Sequence, residues 1–270
     1  MATPIGNLQD ISLRALEILA AVDLIAAEDT RRTAILLNAH GISTPLTSYH
    51  EHNEKTKAAS LVAKLKAGLS IALVSDAGTP LISDPGYRLV HLAATESISC
   101  SPVPGPCAAV AALSVSGQPA ARFHFEGFLP ARLAARARRL EQLREKTETL
   151  VIYESGRRLL ASLQSMAEIF GADRELTVCR ELTKQFETLL RGPVDAVMQM
   201  VRQDSMQQKG EFVLVIAGRQ AVAGESELSG QARKMFSLLC EELPASKAAR
   251  ITASITGESR KAIYALRGLD

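Results

Sequence analysis

Charged residues crowd the ends of apolar runs in this chain. Behind Leu24-Ile25-Ala26-Ala27 comes Glu28-Asp29-Thr30-Arg31-Arg32, the densest set of acid/base and phosphate-binding groups. Behind Ile71-Ala72-Leu73-Val74 comes Ser75-Asp76-Ala77-Gly78-Thr79-Pro80, running on through Asp84 to Gly86. Arg180-Glu181-Leu182-Thr183-Lys184, with Glu187, repeats the mixture. Such carboxylates can move protons and such arginines can hold phosphates. The same residues also suit a helix cap followed by an exposed, salt-bridged first turn, with Asp84 as a cap of its own.

Two further glycine- and proline-rich turns accompany the Asp76 loop: Thr3-Pro4-Ile5-Gly6-Asn7 and Val103-Pro104-Gly105-Pro106-Cys107-Ala108. Turns of this kind let backbone amides approach a ligand, and the last sets a helix N-terminus beside a sheet edge. Neither the Walker A spacing nor G-x-G-x-x-G occurs, so a cofactor held by backbone contacts fits better than a phosphate-driven nucleotide site. Each turn taken singly is also explained as a structural one. His50 and His52 lie two apart, which suits no helical metal site, and the four cysteines form no C-x-x-C pair. No metal is expected, and the cysteines are read as reduced and mostly buried.

The elements that must position these groups follow from the pattern. With 270 residues, 47% hydrophobic and 22% charged, the chain has material for two cores and a small appendage. Net charge is only +2, so nucleic-acid binding must rest on local clustering. One cluster is a basic helix over 132–146, where Arg132, Arg136, Arg138, Arg139, Arg144 and Lys146 face only Glu141 and Glu145. It reads as a phosphate-contacting patch or as a solvated face. Another is the stretch 244–266, with Lys247, Arg260 and Lys261, which suits a helix-turn-helix or a plain helical hairpin. No stretch is long and apolar enough to span a bilayer, and a cytoplasmic location is expected.

Helix and strand alternate up to about residue 117, as in a mainly parallel sheet covered on both faces. The expected order includes helices over 33–40, 87–95 and 107–115 and a strand over 98–103. The turn at Met1 to Asn7 has no strand before it, and the sheet is expected to lack one there. Three parts result: an N-terminal α/β lobe over 1–117, a mixed-sheet α/β lobe over 118–220, and a helical appendage over 230–270 behind a polar linker at 218–229.

The three turns in this order, with Ala27-Glu28-Asp29-Thr30-Arg31, Ser75 to Gly86, Tyr153-Glu154-Ser155 and Arg180 to Lys184, resemble the tetrapyrrole (corrin/porphyrin) methylase superfamily. Within it the likeness is to the ribosomal RNA methyltransferase branch, and it covers nearly the whole chain. The resemblance implies two α/β lobes with an S-adenosylmethionine cleft between them. It further implies 2′-O-methylation of a cytidine ribose in the decoding centre of 16S rRNA by a homodimer. Where porphyrin-branch members carry Gly-Gly-Asp-Pro, this chain has Ala77-Gly78-Thr79-Pro80.

On that resemblance, Glu28, Asp29 and Asp76 are candidates for the catalytic base or its orienting partners, with Arg31 and Lys184 as substrate anchors. The cofactor is expected against Pro4, Asp76 to Pro80, Pro104, Gly105, Cys107 and Ala108 from the first lobe. From the second lobe it is expected against Phe128, Leu129, Pro130, Tyr153, Glu154, Glu181, Gly210 and Glu211. RNA contacts fall to Arg132, Arg136, Arg139, Lys247, Arg260 and Lys261. Two alternatives remain: a methyltransferase for a tetrapyrrole-like small molecule, which leaves the basic segments without a use, and a non-catalytic nucleic-acid-binding regulator, which leaves the strand-end loops unexplained.

Overall fold

The computed structural model describes residues 1–220, 228 and 230–268, in two compact units, Met1–Arg219 and Gln220–Asp270. In the first unit a parallel sheet of order β2-β1-β3 is formed by β1 (Leu24–Ala27), β2 (Leu46–Ser48) and β3 (Ile71–Val74). Alternation along β1 sends Ile25 and Ala27 to one face, against α1 (Leu13–Ala21) and α2 (Thr30–Ala39). Leu24 and Ala26 go to the other, against α3 (Glu54–Lys66) and α4 (Tyr87–Thr95). A strand buried on both faces explains its unbroken apolar run.

Tyr49 is fully buried on the α3 and α4 side, and its hydroxyl accepts a hydrogen bond from the Leu89 amide at 3.2 Å. That amide lies in the first turn of α4 and has no helical partner. Tyr49→Phe is therefore expected to cost about 1–3 kcal/mol, read from the urea midpoint, because a buried donor is left unsatisfied.

Two expectations for this region are corrected. Residues 98–103 form no strand: Val103 accepts one bond from the Ala2 amide, while the Met1 amine donates to the Leu73 carbonyl. The chain then turns away to a two-bond bridge between Thr3 and Gly78, so no ladder builds beside 98–103. α2 begins at Thr30 rather than 33, because the Asp29 carboxylate caps the Arg31 amide.

The second sheet is mixed, of order β4-β5-β8-β6-β7, from β4 (Phe123–Phe128), β5 (Thr149–Ser155), β6 (Glu175–Arg180), β7 (Thr188–Pro193) and β8 (Glu211–Ile216). β4 and β5 run parallel, while β8 pairs antiparallel with β5 and β6. Leu150 and Ile152 face a core closed by α6 (Leu133–Leu143), α7 (Gly156–Phe170) and α8 (Val194–Gln203). Val151 and Tyr153 face the other way, onto α5 (Ala108–Ser116). The alanines of α5 allow it to lie close on that sheet.

On α6, Arg136 is 5% exposed and donates to the Ser165 hydroxyl at 3.0 Å, so it cannot contact RNA as expected. Arg139 is held by Glu126 through two bonds of 2.5 and 2.7 Å. The helix therefore spends part of its charge inside the fold. The cysteines also depart from expectation: Cys100 and Cys240 are exposed, Cys107 is half-buried, and only Cys179 is buried, its thiol pushed up to about 12 by burial.

The second unit contains α9 (Gly230–Glu242), α10 (Ala245–Thr256) and α11 (Arg260–Ala265), packed around Phe236, Ala248, Ala249 and Ile263. Gly257, at φ +73°, makes the turn between α10 and α11. Lys247, Arg260 and Lys261 are exposed on this pair. Most of the expected linker lies outside the described residues. Among the described residues no helix is long and apolar enough to cross a membrane.

Candidate active site

Within the first unit, the carboxyl ends of β1, β3 and β5, the start of β8 and the N-terminus of α5 converge on a cleft of about 370 Å³. Ile5, Ile82, Phe128, Leu182 and Val213 give it apolar walls, and the volume suits a small molecule. Glu28, Asp76 and Asp84 enter from the first sheet's side, and Glu181, Lys184 and Glu211 from the second.

The loop after β3 is over-determined. Thr3 Oγ1 donates to the Ser75 carbonyl at 3.1 Å, and Thr79 Oγ1 to the Pro106 carbonyl at 3.0 Å. Leu81 and Ser83 adopt left-handed backbone at φ +73° and +65°, conformations that cost non-glycine residues free energy and persist only under such constraint. A Cβ on Gly127 would sit 2.9 Å from Ser83 Oγ, so β4 closes directly onto this loop.

Glu28 and Asp76 hold each other in place. The Asp76 amide donates to Glu28 Oε2 at 3.1 Å, the Asp29 amide donates to Asp76 Oδ1 at 2.9 Å, and Arg32 pairs with Asp76 Oδ2 at 3.4 Å. Burial raises the Glu28 carboxyl above its ordinary range; the Asp76 amide opposes this, and the Asp76 charge adds to it.

Across the cleft, Lys184 Nζ reaches Glu181 at 2.9 Å and Glu211 at 2.8 Å. Burial would lower this ammonium, but the bonds to Glu211 and Glu181 together outweigh it and hold it above the ordinary range. Lys184 is therefore a fixed cation and not a base. Tyr153 accepts from the Ala109 amide in the first turn of α5 at 3.2 Å, with the Phe125 and Phe128 rings edge-on at 5.0 and 5.6 Å.

The cleft brings together Glu28, Asp76, Ala77, Gly78, Thr79, Ala108, Phe128, Tyr153, Glu154, Glu181, Lys184 and Glu211 of the expected set. Asp29 and Arg31 do not line it. They pair through bonds of 3.1 and 2.7 Å, and hydrogen bonds from the Arg31 side chain and amide hold the Asp29 carboxyl far below the carboxylate range, which makes it a poor proton acceptor. Pro4 borders a separate recess beside Arg32. Pro80 and Leu129 are buried, Gly105 lies against Ala2, and Gly210 backs Glu181. Pro104, Cys107 and Pro130 likewise lie outside the lining.

Glu154 borders the cleft, yet its carboxylate accepts from the Ser155 amide and the Ser162 hydroxyl. Arg32, which lines the cleft, is missing from the sequence-based set. Asp29 as cap would have found it, since adjacent helical residues point roughly 100° apart and only one of Arg31 and Arg32 can face inward.

Known proteins match along almost the whole chain. The family described as Tetrapyrrole (Corrin/Porphyrin) Methylases matches residues 2–197, and the RsmI C-terminal HTH domain matches residues 226–267. Ribosomal RNA small subunit methyltransferase I of Pseudomonas aeruginosa is 48% identical over 98% of this chain and 94% of its own length. The protein of the same name from Xylella fastidiosa (strain Temecula1) is 50% identical over 98% of this chain and 96% of its own. Among solved structures, uroporphyrin-III-C-methyltransferase from Thermus thermophilus superposes with TM-score 0.57 at 18% identity, covering 80% of this chain and 91% of that one. Diphthine synthase superposes with TM-score 0.59 at 10% identity, covering 80% and 88%; both likenesses concern the fold alone.

Proposed function

The chain belongs to the tetrapyrrole (corrin/porphyrin) methylases, and from that premise we propose that it methylates 16S rRNA in the small ribosomal subunit at a cytidine 2′ oxygen in the decoding centre, using S-adenosylmethionine. The observation that carries this reading is the near-full-length identity of 48–50% to ribosomal RNA small subunit methyltransferases I.

The cleft suits the cofactor's chemistry. Apolar walls accept an adenosine ring, the amide-rich turn at Ala77 and Gly78 approaches closely, and the surrounding carboxylates suit a cationic sulfonium and amine. When bound, S-adenosylmethionine supplies an electrophilic methyl group. The protein's part is to align the 2′ oxygen, exclude water and remove a proton. In this reading Lys184, fixed by two carboxylates, helps to hold the ribose-phosphate, and Arg32 and Glu28 shape the substrate side of the cleft.

RNA is bound through exposed Arg132 on one unit and Lys247, Arg260 and Lys261 on the other, which act on phosphates and shape. Arg139 contributes less, being tied to Glu126. The enzyme works in the cytoplasm, where its substrate is assembled, and as a homodimer, which sedimentation tests directly.

The reading is tested by incubating the protein with labelled S-adenosylmethionine and small subunits lacking the modification, then identifying the modified nucleoside by mass spectrometry. The expected product is 2′-O-methylcytidine. Label on a tetrapyrrole precursor instead, with none on RNA, would transfer the function to small-molecule methylation.

A further inference from the structure

Three carboxylates from the first sheet's side share the cleft, and they differ in what already occupies them. Asp76 accepts the Asp29 amide and pairs with Arg32. Glu28 accepts the Asp76 amide. Asp84 has neither an amide nor a cation among the described residues; the nearest polar group acting on it is the Ser75 hydroxyl, which donates to the Gly78 carbonyl at 3.3 Å. It does not serve α4 either, whose N-cap is Gly86 without any side-chain capping bond. The two charges facing it are Glu28 and Asp76, with the Tyr153 phenol on the second sheet's side. Its backbone is fixed between left-handed Ser83, pressed by Gly127, and Gly86 at φ +138°. A Cβ on Gly86 would lie 2.7 Å from Leu81 Cδ1 and 2.9 Å from Leu73 Cδ2, so this bend has little room to move.

We propose that Asp84 is the catalytic base, accepting the proton of the substrate's ribose 2′ hydroxyl during methyl transfer; this rests on the function proposed above. As the O–H bond gives its proton to the Asp84 carboxylate, the oxygen's electron pair forms the new O–CH3 bond. The S–CH3 bond breaks, and its electrons remain on sulfur, which leaves as the neutral thioether S-adenosylhomocysteine. Burial, reinforced by the Glu28 and Asp76 charges and only partly offset by Ser75, raises the Asp84 carboxyl to about 6. The group is thus ionised at neutral pH yet more basic than an ordinary aspartate.

The test compares wild type, Asp84→Asn and Asp84→Glu as full-length enzymes on small subunits. Asp84→Asn is expected to lower kcat by about 100-fold or more, the scale of general-base catalysis, while S-adenosylmethionine affinity by calorimetry falls far less, because Asp84 is one of several carboxylates around the cation. Asp84→Glu restores part of the rate. Wild-type kcat rises with pH and levels off above about 6, and the Asn variant lacks that limb.

A readout on the ligand-free protein is independent of activity. Folded Asp84 takes up its proton at higher pH than the unfolded chain does, so lowering pH from 7 towards 4 stabilises the wild type through this group. The Asn variant lacks that gain, giving a difference in melting-temperature profile. An Asn variant with near-wild-type kcat, or a wild-type profile with no limb near 6, overturns the role of Asp84. A wild type that transfers no methyl group to subunits overturns the RNA reading itself.

Discussion

Gly6→Ala is expected to lower methyl transfer about 100-fold, the penalty attached to displacing reacting groups by about 1 Å. A Cβ at position 6 would overlap Lys184 Cγ and lie 2.8 Å from Thr183 Oγ1 and 2.9 Å from the Leu182 carbonyl. The lysine stem could move aside; the carbonyl cannot do so cheaply, because Glu181 and Thr183 already sit at φ +49° and +65° and the Thr183 amide is held by Glu187 at 2.7 Å. The whole 181–184 turn must shift, taking with it the Lys184 ammonium and its bonds to Glu181 and Glu211. The strain of that shift is expected to cost about 1–2 kcal/mol, read from the urea midpoint, too little to unfold the variant under assay conditions, so the fall in kcat of about 100-fold is read on folded enzyme. A variant unfolded under those conditions would mean that the turn matters for folding rather than for alignment.

Glu154→Ala is expected to destabilise the fold by about 3 kcal/mol, near the lower end for breaking a buried pair. Glu154 is 2% exposed, and its carboxylate serves the Ser155 amide at 2.9 Å, the Ser162 hydroxyl at 2.5 Å and Arg158 at 3.3 Å. Truncation strands all three around the first turns of α7, though Arg158 is partly exposed and also donates to the Leu129 carbonyl. Glu154→Gln keeps an acceptor for the amide and loses mainly the ion pair, so it should cost less than half as much. Urea unfolding of both variants checks the order; equal costs would assign the effect to volume rather than to charge.

What was legible in the chain was whatever depends on local pattern. The two-faced burial of β1 is written in Leu24-Ile25-Ala26-Ala27, and the cleft loops in turn chemistry at Asp76 to Pro80. The phase of charged residues was legible only once a cap was chosen. Counting arginines on α6 suggested a patch, yet Arg136 stands four and seven residues before Leu140 and Leu143, on their buried stripe. The strand expected over 98–103 failed for a non-local reason: apolar residues need a neighbour with consecutive free amides, and that depends on the path of Met1 to Thr3. Asp84 was visible as a polar contact, but its lack of a cation depends on where the side chains of distant segments settle, as when Arg32 pairs with Asp76.

The central claim, that the cleft between the two sheets holds the methyl donor, is tested most directly by calorimetric titration of S-adenosylmethionine into wild type and Ala77→Trp. Ala77 lines the cleft but is exposed, so an indole can enter the cleft without invading a core. Saturable binding to wild type that is lost in the folded variant is the predicted result. Unchanged affinity in Ala77→Trp would place the donor elsewhere and contradict the account.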